Sequence, residues 1–270
     1  MRTNYTEVFR DEKAVEKYER EVYAPRSFST HVSARQRQWL RAFTETAFER
    51  PPVHHDFACG TGRALRMLDG LTSGAHGYDT SEAMLSKARE LGVPADLHLV
   101  GETGPLPGTV DGQREPNLVT MFRLLLNAPR EVRDRAMEFA AGMLPTPDSG
   151  LLIVENHGNA GSLRHLRKAA GRVEEGRWFA ELSHAEIGEL FERHGFELLT
   201  RQGFTLLTQG FYKIPPVSWV APGFDSWASR RSFLSGCATN VLYIARRLGL
   251  GARRTGPDAS SGPVRPHVCA

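Results

Sequence analysis

The sequence predicts an α/β protein, a doubly wound and mostly parallel sheet behind a helical region, on three observations. Residues 53–68, VHHDFACGTGRALRML, form a short apolar run that ends in an acid, turns at Gly60 and Gly62 and enters a helical pattern. Residues 74–79 repeat the plan, with a run ending at Asp79 just ahead of a helix start. Two further apolar runs, 117–122 and 150–156, flank a helical pattern at 133–144. Strands alternating with helices of this length predict βαβ units and a parallel sheet. With 270 residues and 40% hydrophobic content, the chain can bury one such core plus an appendage.

In chain order, residues 11–23 place Val15, Tyr18 and Val22 at helical spacing. After Pro25 a second helical pattern carries Val32, Trp39, Leu40, Phe43 and Ala47, and Pro51-Pro52 closes it. Residues 1–50 therefore read as a helical cap laid over the site, 51–250 as the core, and 251–270, rich in Gly, Ser and Pro, as a disordered tail. Within the core, 64–71 is the first helix, Ser81 and Glu82 open the second, 95–100 is the third strand and a polar insertion fills 109–116. Ser183 and Glu186 fit a capping box for a helix over 183–194, with His184 decorating its start. Residues 195–212 alternate like a hairpin turning at Gln202-Gly203, 219–227 are aromatic and turn-rich, and 232–248 suit a last amphipathic helix.

Composition excludes several partners. The net charge is +3 with no block of like charges, so nucleic acid is not expected. Cys59, Cys237 and Cys269 lack metal-ligand spacing, and no metal is expected. The polar start MRTNYTEVFRDEK has no apolar signal core, and no run approaches the roughly 18 apolar residues of a membrane span. These features predict a reduced, cytoplasmic protein away from the membrane.

The glycine turn lets backbone approach a ligand, and the N–H groups of the following helix start favour an anionic or polar group. A dinucleotide fingerprint would need a third small residue where Leu65 stands. The acid instead precedes the turn, as Asp56-x-x-x-Gly60-x-Gly62. Asp79, some twenty residues on, is placed to accept both hydroxyls of a ribose; the plainer alternative is a cap for the next helix.

Asp56-x-x-x-Gly60-x-Gly62, the D-x-S-x-x-M-L of Asp79, Ser81 and Met84, the loop GETGPLP at 101–107 and a late H-G-F together resemble the class I S-adenosylmethionine (SAM) dependent methyltransferases over roughly residues 50–215. The resemblance implies a Rossmann-like, seven-stranded sheet with only the last strand antiparallel, and SAM as cofactor. It assigns Asp56, Ala58, Cys59, Gly60 and Gly62 to the methionine end and Asp79 to the ribose, with Thr80 and Met84 also in the cofactor site. It assigns Glu102 and Thr103 to adenine, Phe122 to the SAM amino group and Tyr23 to the cap's share of the site. Glu102, Thr103 and Asn117 depart from the family's usual Asp, Ala and Asp.

Methyl transfer is an in-line displacement, so the protein mainly aligns the groups and excludes water. The expected reaction moves a methyl group from SAM to a hydroxyl, amine or carbon of a small molecule, with secondary metabolites among the candidates. Phe179, Phe204, Phe211, Tyr212 and Trp219 are candidate pocket walls, and Arg123 and Asn127 candidates on the acceptor side. His157, just past the fifth strand, is the first choice for a base and His31 in the cap the second. An RNA or protein methyltransferase and a non-catalytic SAM-binding protein are the competing readings. The sequence leaves the oligomeric state open, a homodimer included.

Overall fold

In the computed structural model of the chain, seven strands form one sheet. The structure describes residues 9, 11–22, 24, 27–108, 115–165, 181–231, 234 and 236–249. Strand β1 (Val53–Phe57) lies between β2 (Gly74–Asp79) and β4 (Asn117–Met121), with β3 (Asp96–Leu99) beyond β2 and β5 (Gly150–Asn156) beyond β4, all parallel. Strand β7 (Asn240–Arg247) runs antiparallel between β5 and β6 (Phe196–Thr205), completing the order β3-β2-β1-β4-β5-β7-β6. Helices α1 (Glu12–Val22) and α2 (Phe28–Ala47) precede the sheet, and α3 (Arg63–Met67), α4 (Glu82–Glu90) and α5 (Arg130–Met143) connect its parallel strands. Helix α6 (His184–Arg193) leads into β6, and α7 (Val217–Ser229) joins β6 to β7. This is the expected seven-stranded sheet with its last strand antiparallel. Tyr23, Phe179, Cys269, residues 109–114 of the insertion and the 251–270 tail lie outside the described residues.

The central strands β1 and β4 are buried at every position because both faces of the sheet are covered. On β4, β5 and β7, Val119, Leu152, Val154, Val241, Tyr243 and Ala245 point to one face, where they meet Phe139 and Met137 of α5 and Phe191 of α6. Their neighbours Leu118, Ile153, Leu242 and Ile244 point to the other face and pack on Leu40 of α2 and on Ala64 and Met67 of α3. Cap helix α2 therefore belongs to the core.

The C-terminal third differs from the sequence expectations. Residues 196–205 form one continuous strand, not a hairpin; Gly203 sits at a break in register between Gly203 and Thr205, so the glycine marks a bulge and not a turn. The hairpin partner is supplied by 240–247, expected as helix, whose run NVLYIARR is fully buried at six of eight positions. A short apolar run buried on both faces carries no period that separates strand from helix. The aromatic stretch around Trp219–Trp227 is helical despite the internal Pro222, tied down by Asp225, which accepts from the N–H groups of Leu206 and Leu207 at 2.9 and 3.1 Å. His184 does more than decorate a helix start: its ring links the Tyr243 hydroxyl (2.5 Å) and the Gly236 carbonyl (2.7 Å).

Leu65, too large for a dinucleotide fold's helix-to-strand contact, is accommodated because the small residue lies on the strand instead. A Cβ on Gly77 of β2 would come within 2.9 Å of Leu65 Cδ1, Cys59 Sγ and Leu97 Cδ2. Gly77→Ala should therefore cost about 1–3 kcal/mol through overpacking, and Leu65→Ala alone about 2–5 kcal/mol. Denaturant titration of the double variant should give a loss well below the sum, since the cavity takes in the new methyl group. Additive losses would contradict this contact.

Candidate cofactor site

A cavity of about 320 Å³ opens at the carboxyl ends of β1, β2 and β4. The turn that floors it has three left-handed residues in five, Ala58 (φ 56°), Gly60 (φ 54°) and Gly62 (φ 78°), and closes through the Gly62 N–H on the Cys59 carbonyl at 2.9 Å. Gly62 lies behind the wall: a Cβ there would strike Val93 at 2.6 Å, so the residue is needed for the turn's shape and packing. Asp79 spans the turn and the next helix, its Oδ2 accepting from Gly60 N–H at 2.8 Å and its Oδ1 from Ser81 N–H at 2.9 Å. Capping falls to Ser81, whose hydroxyl accepts from Met84 N–H at 3.2 Å, which leaves the Asp79 carboxylate on the cavity wall. Burial raises the Asp79 pKa, opposed by the backbone N–H groups that favour its charge.

Beneath the turn, Asp56 is 1% exposed and accepts from the Thr120 hydroxyl at 2.5 Å. Thr120 Oγ1 lies 2.8 Å from His54 Nε2. Burial, then His55 and His76, hold the His54 pKa down at about 3, so its ring is neutral; its buried Nδ1 has no hydrogen-bond partner. The chain of bonds therefore runs His54 N–H to Thr120 O–H to Asp56. Burial pushes the Asp56 pKa up to about 7, with Thr120 opposing and Asp79 adding to the rise.

Helix α1 roofs the cavity. Val15 and Phe9 pack on Met84 of α4, Phe9 meets Tyr18 edge-on at 5.1 Å, and the Thr61 hydroxyl in the turn donates to Glu19. Phe9 and Tyr18 line the cavity opposite the turn, and the Arg123 guanidinium sits 5.9 Å over the Tyr18 ring. At the far end, Arg135 holds the loop of Glu102 and Thr103 by donating to the carbonyls of Gly104 (2.9 Å) and Gly101 (3.0 Å).

At the carboxyl end of β5, the buried Glu155 gathers four elements. Gln36 of α2 donates to it at 2.7 Å, Arg63 of α3 at 3.2 Å, the Arg123 backbone N–H at 3.1 Å and Asn240 of β7 at 3.5 Å. Burial works to raise its pKa, but Arg63, His157 and Arg123 overcome that and hold it at about 2. Arg63 also donates to Ser33 and Gln36 of α2.

Of the residues assigned from sequence, Asp56, Ala58, Cys59, Gly60, Asp79, Thr80, Met84, Glu102, Thr103 and Phe122 line the cavity. Arg123 and Asn127 line it too, while Tyr23 lies outside the described residues. His157 is 7% exposed and not on the cavity wall; burial, then Arg123, lowers its pKa to about 3. His31 is also off this wall, its ring 5.7 Å from Tyr212. Sequence reasoning missed the parts played by Phe9, Arg63 and Glu155. Arg63, directly after the turn's last glycine, was the one local signal.

The folded protein holds the Asp56 proton more tightly than the unfolded chain does. Its carboxyl thus favours folding fully below the ordinary carboxylate range, and that contribution is lost as pH rises through about 7. Asp56→Asn keeps the acceptor for Thr120 without the charge. Chemical denaturation between about pH 4 and 8 should show the variant gaining a few kcal/mol on the wild type at the alkaline end. A parallel pH dependence in the two proteins would contradict the raised pKa.

The methyltransferase-domain family profile matches residues 31–201. No curated protein sequence matches the chain. Among solved structures, a SAM-dependent methyltransferase of Thermotoga maritima is 15% identical with a TM-score of 0.56, over 87% of this chain and 96% of that one. The magnesium protoporphyrin IX methyltransferase of Synechocystis, solved with S-adenosylhomocysteine (SAH), is 14% identical with a TM-score of 0.53, over 88% and 100%. The CcbJ methyltransferase of Streptomyces caelestis is 17% identical with a TM-score of 0.51, over 79% and 90%. At such identities these structures show a shared fold, and the family profile covers well over half of the sequence. The chain belongs to the class I SAM-dependent methyltransferase family.

Proposed function

We propose that this enzyme transfers the SAM methyl group to a small molecule, working in the cytoplasm. The observation that carries this reading is the roof: Phe9, ahead of α1, and Tyr18 on α1 line the cavity over the cofactor turn, which favours an acceptor small enough to enter beneath them. A macromolecular acceptor calls for an open basic face, and the net charge of +3 is dispersed. Cys59 and Cys237 are free thiols, in keeping with a reducing compartment. No helix among the described residues is long and apolar enough to cross a membrane.

The residues present fit SAM. Asp79 offers carboxylate oxygens to a ribose diol, and the left-handed turn leaves bare backbone for the methionine end. Phe9, Met84 and Val132 supply apolar walls for a ring, beside Glu102 and Thr103. When bound, SAM supplies an electrophilic methyl group on a sulfonium. The protein's part is to orient the acceptor and exclude water, which Tyr18 and Phe122 serve from opposite elements. With its pKa held at about 3, His157 is a neutral and weakly basic ring, better suited to hydrogen-bonding an acceptor than to carrying its proton away.

Incubation with methyl-labelled SAM and an extract of the source cells tests the reading. Label should enter the low-molecular-weight fraction. His157→Gln should raise the acceptor KM while SAH affinity holds and the pH profile between about 5 and 8 keeps its shape. Label confined to protein or RNA would overturn the small-molecule reading. SAM binding with no transfer to any fraction would make the protein a non-catalytic binder.

A further inference from the structure

We infer that the outer face of α7 docks on an anionic lipid bilayer, with Trp219, Val220, Phe224 and Trp227 entering the interface and Lys213, Arg230 and Arg231 meeting the lipid headgroups. The inference goes beyond the proposed function and does not depend on which acceptor the enzyme takes. At 13 residues α7 is too short to span a membrane, so the docking is peripheral.

Helix α7 is inverted. Its buried positions are Ala221, Asp225 and Ala228, while Trp219, Val220, Phe224 and Trp227 are between 44% and 81% exposed. A helix on a protein surface ordinarily buries its large apolar side chains and exposes its charges. Val220, Phe224, Trp227 and Arg231 recur at the spacing of one helix face, with Trp219, Gly223 and Arg230 beside them. Together with Ile214, the four apolar residues are five of the ten large apolar side chains exposed among the described residues, so they form a patch and are not scattered. Trp219, a candidate pocket wall in the sequence, belongs to this patch and not to the cofactor cavity. Polar contacts on the inner side fix the helix in this orientation. Asp225 Oδ2 accepts from the Tyr212 hydroxyl at 2.6 Å, and Arg35 of α2 donates to the Asp225 carbonyl at 2.8 Å and to the Ser229 hydroxyl. Turning the aromatic side inward would break these bonds and those of Asp225 to Leu206 and Leu207.

Charge selects the occupant. Asp225 is the sole acid in the sequence between Glu197 and Asp258, and it is buried. Every exposed charge that residues 206–231 contribute is therefore basic: Lys213 ahead of α7, and Arg230 and Arg231 at its C-terminal end. The Arg231 guanidinium lies 5.4 Å from the centre of the Trp227 ring, which is itself 6.0 Å from Phe224, so cation and aromatic surface are continuous. A second copy of the chain fits this face poorly. With cations at both ends of the helix, helix-on-helix pairing in either direction sets like charges against each other. An anionic bilayer complements both features, taking Trp and Phe at the headgroup level and attracting Lys and Arg to its surface.

Co-sedimentation of the full-length protein with two kinds of vesicle tests this. One is phosphatidylcholine alone, the other equal parts phosphatidylcholine and phosphatidylglycerol. The protein should pellet with the anionic vesicles and stay in solution with the neutral ones, and added salt should weaken the binding. Phe224→Ser/Trp227→Ser should weaken the partition into anionic vesicles by at least about tenfold, and Arg230→Gln/Arg231→Gln should reduce the preference for them over neutral vesicles. SAH affinity by calorimetry should stay within about twofold in both double variants, which also reports that they fold. Failure to bind the anionic vesicles, or equal binding to both kinds, would overturn the inference. Binding that the Phe224→Ser/Trp227→Ser variant leaves unchanged would move the contact away from α7. A wild-type dimer in light scattering that this variant converts to monomer, with no vesicle binding by either, would make the face a contact between copies of the chain instead.

Discussion

The architecture of this enzyme depends on one buried carboxylate. Glu155 is 1% exposed at the end of β5 and joins the cap (Gln36), the helix after the cofactor turn (Arg63), the loop after β4 (Arg123) and β7 (Asn240). An ion in that position is stable only because every contact is a donor and one is a guanidinium itself only 10% exposed. With its pKa at about 2, the knot stays charged at any pH above the ordinary carboxylate range and loses its contribution only as pH falls from there towards 2. Cap and core are consequently one unit at the carboxyl end of β5.

Charge is distributed along the cleft in a graded way. At the cofactor turn the groups are acidic, Asp56 and Asp79, and burial raises the pKa of both. At the end of β5 they are basic, Arg63, Arg123 and Arg164, around one strongly acidic glutamate. The neutral rings of His54 and His157 sit behind these two ends, each with a buried nitrogen lacking a partner.

The cofactor half was legible in the sequence because its signals are local. Gly60, Gly62, Asp79, Ser81 and Met84 fall within 25 positions of each other, and a turn followed by a helix start needs nothing from the rest of the chain. The terminal strands were not legible, because β6 and β7 are defined by pairing across 35 or more residues and by two register shifts that local alternation does not reveal. Gly203 reads as a turn in sequence and acts as a bulge in the sheet. Glu155 was unreadable for a related reason: within LLIVEN it looks like the polar end of a strand, and only the topology brings Gln36 and Arg63 to it. His157 was singled out by its position after β5, but its burial, which lowers its pKa, follows from packing.

Glu155 holds the cap, the helix after the cofactor turn and the loop after β4 in register at the end of β5. The most direct test is Glu155→Gln, which keeps the shape and removes the charge, followed by denaturant titration and SAH calorimetry. Stability should fall by about 3–5 kcal/mol, and SAH should bind at least about tenfold more weakly, because Arg63 and Arg123 lose the anion that positions them. A variant as stable as the wild type and equally tight for SAH would contradict this role of Glu155.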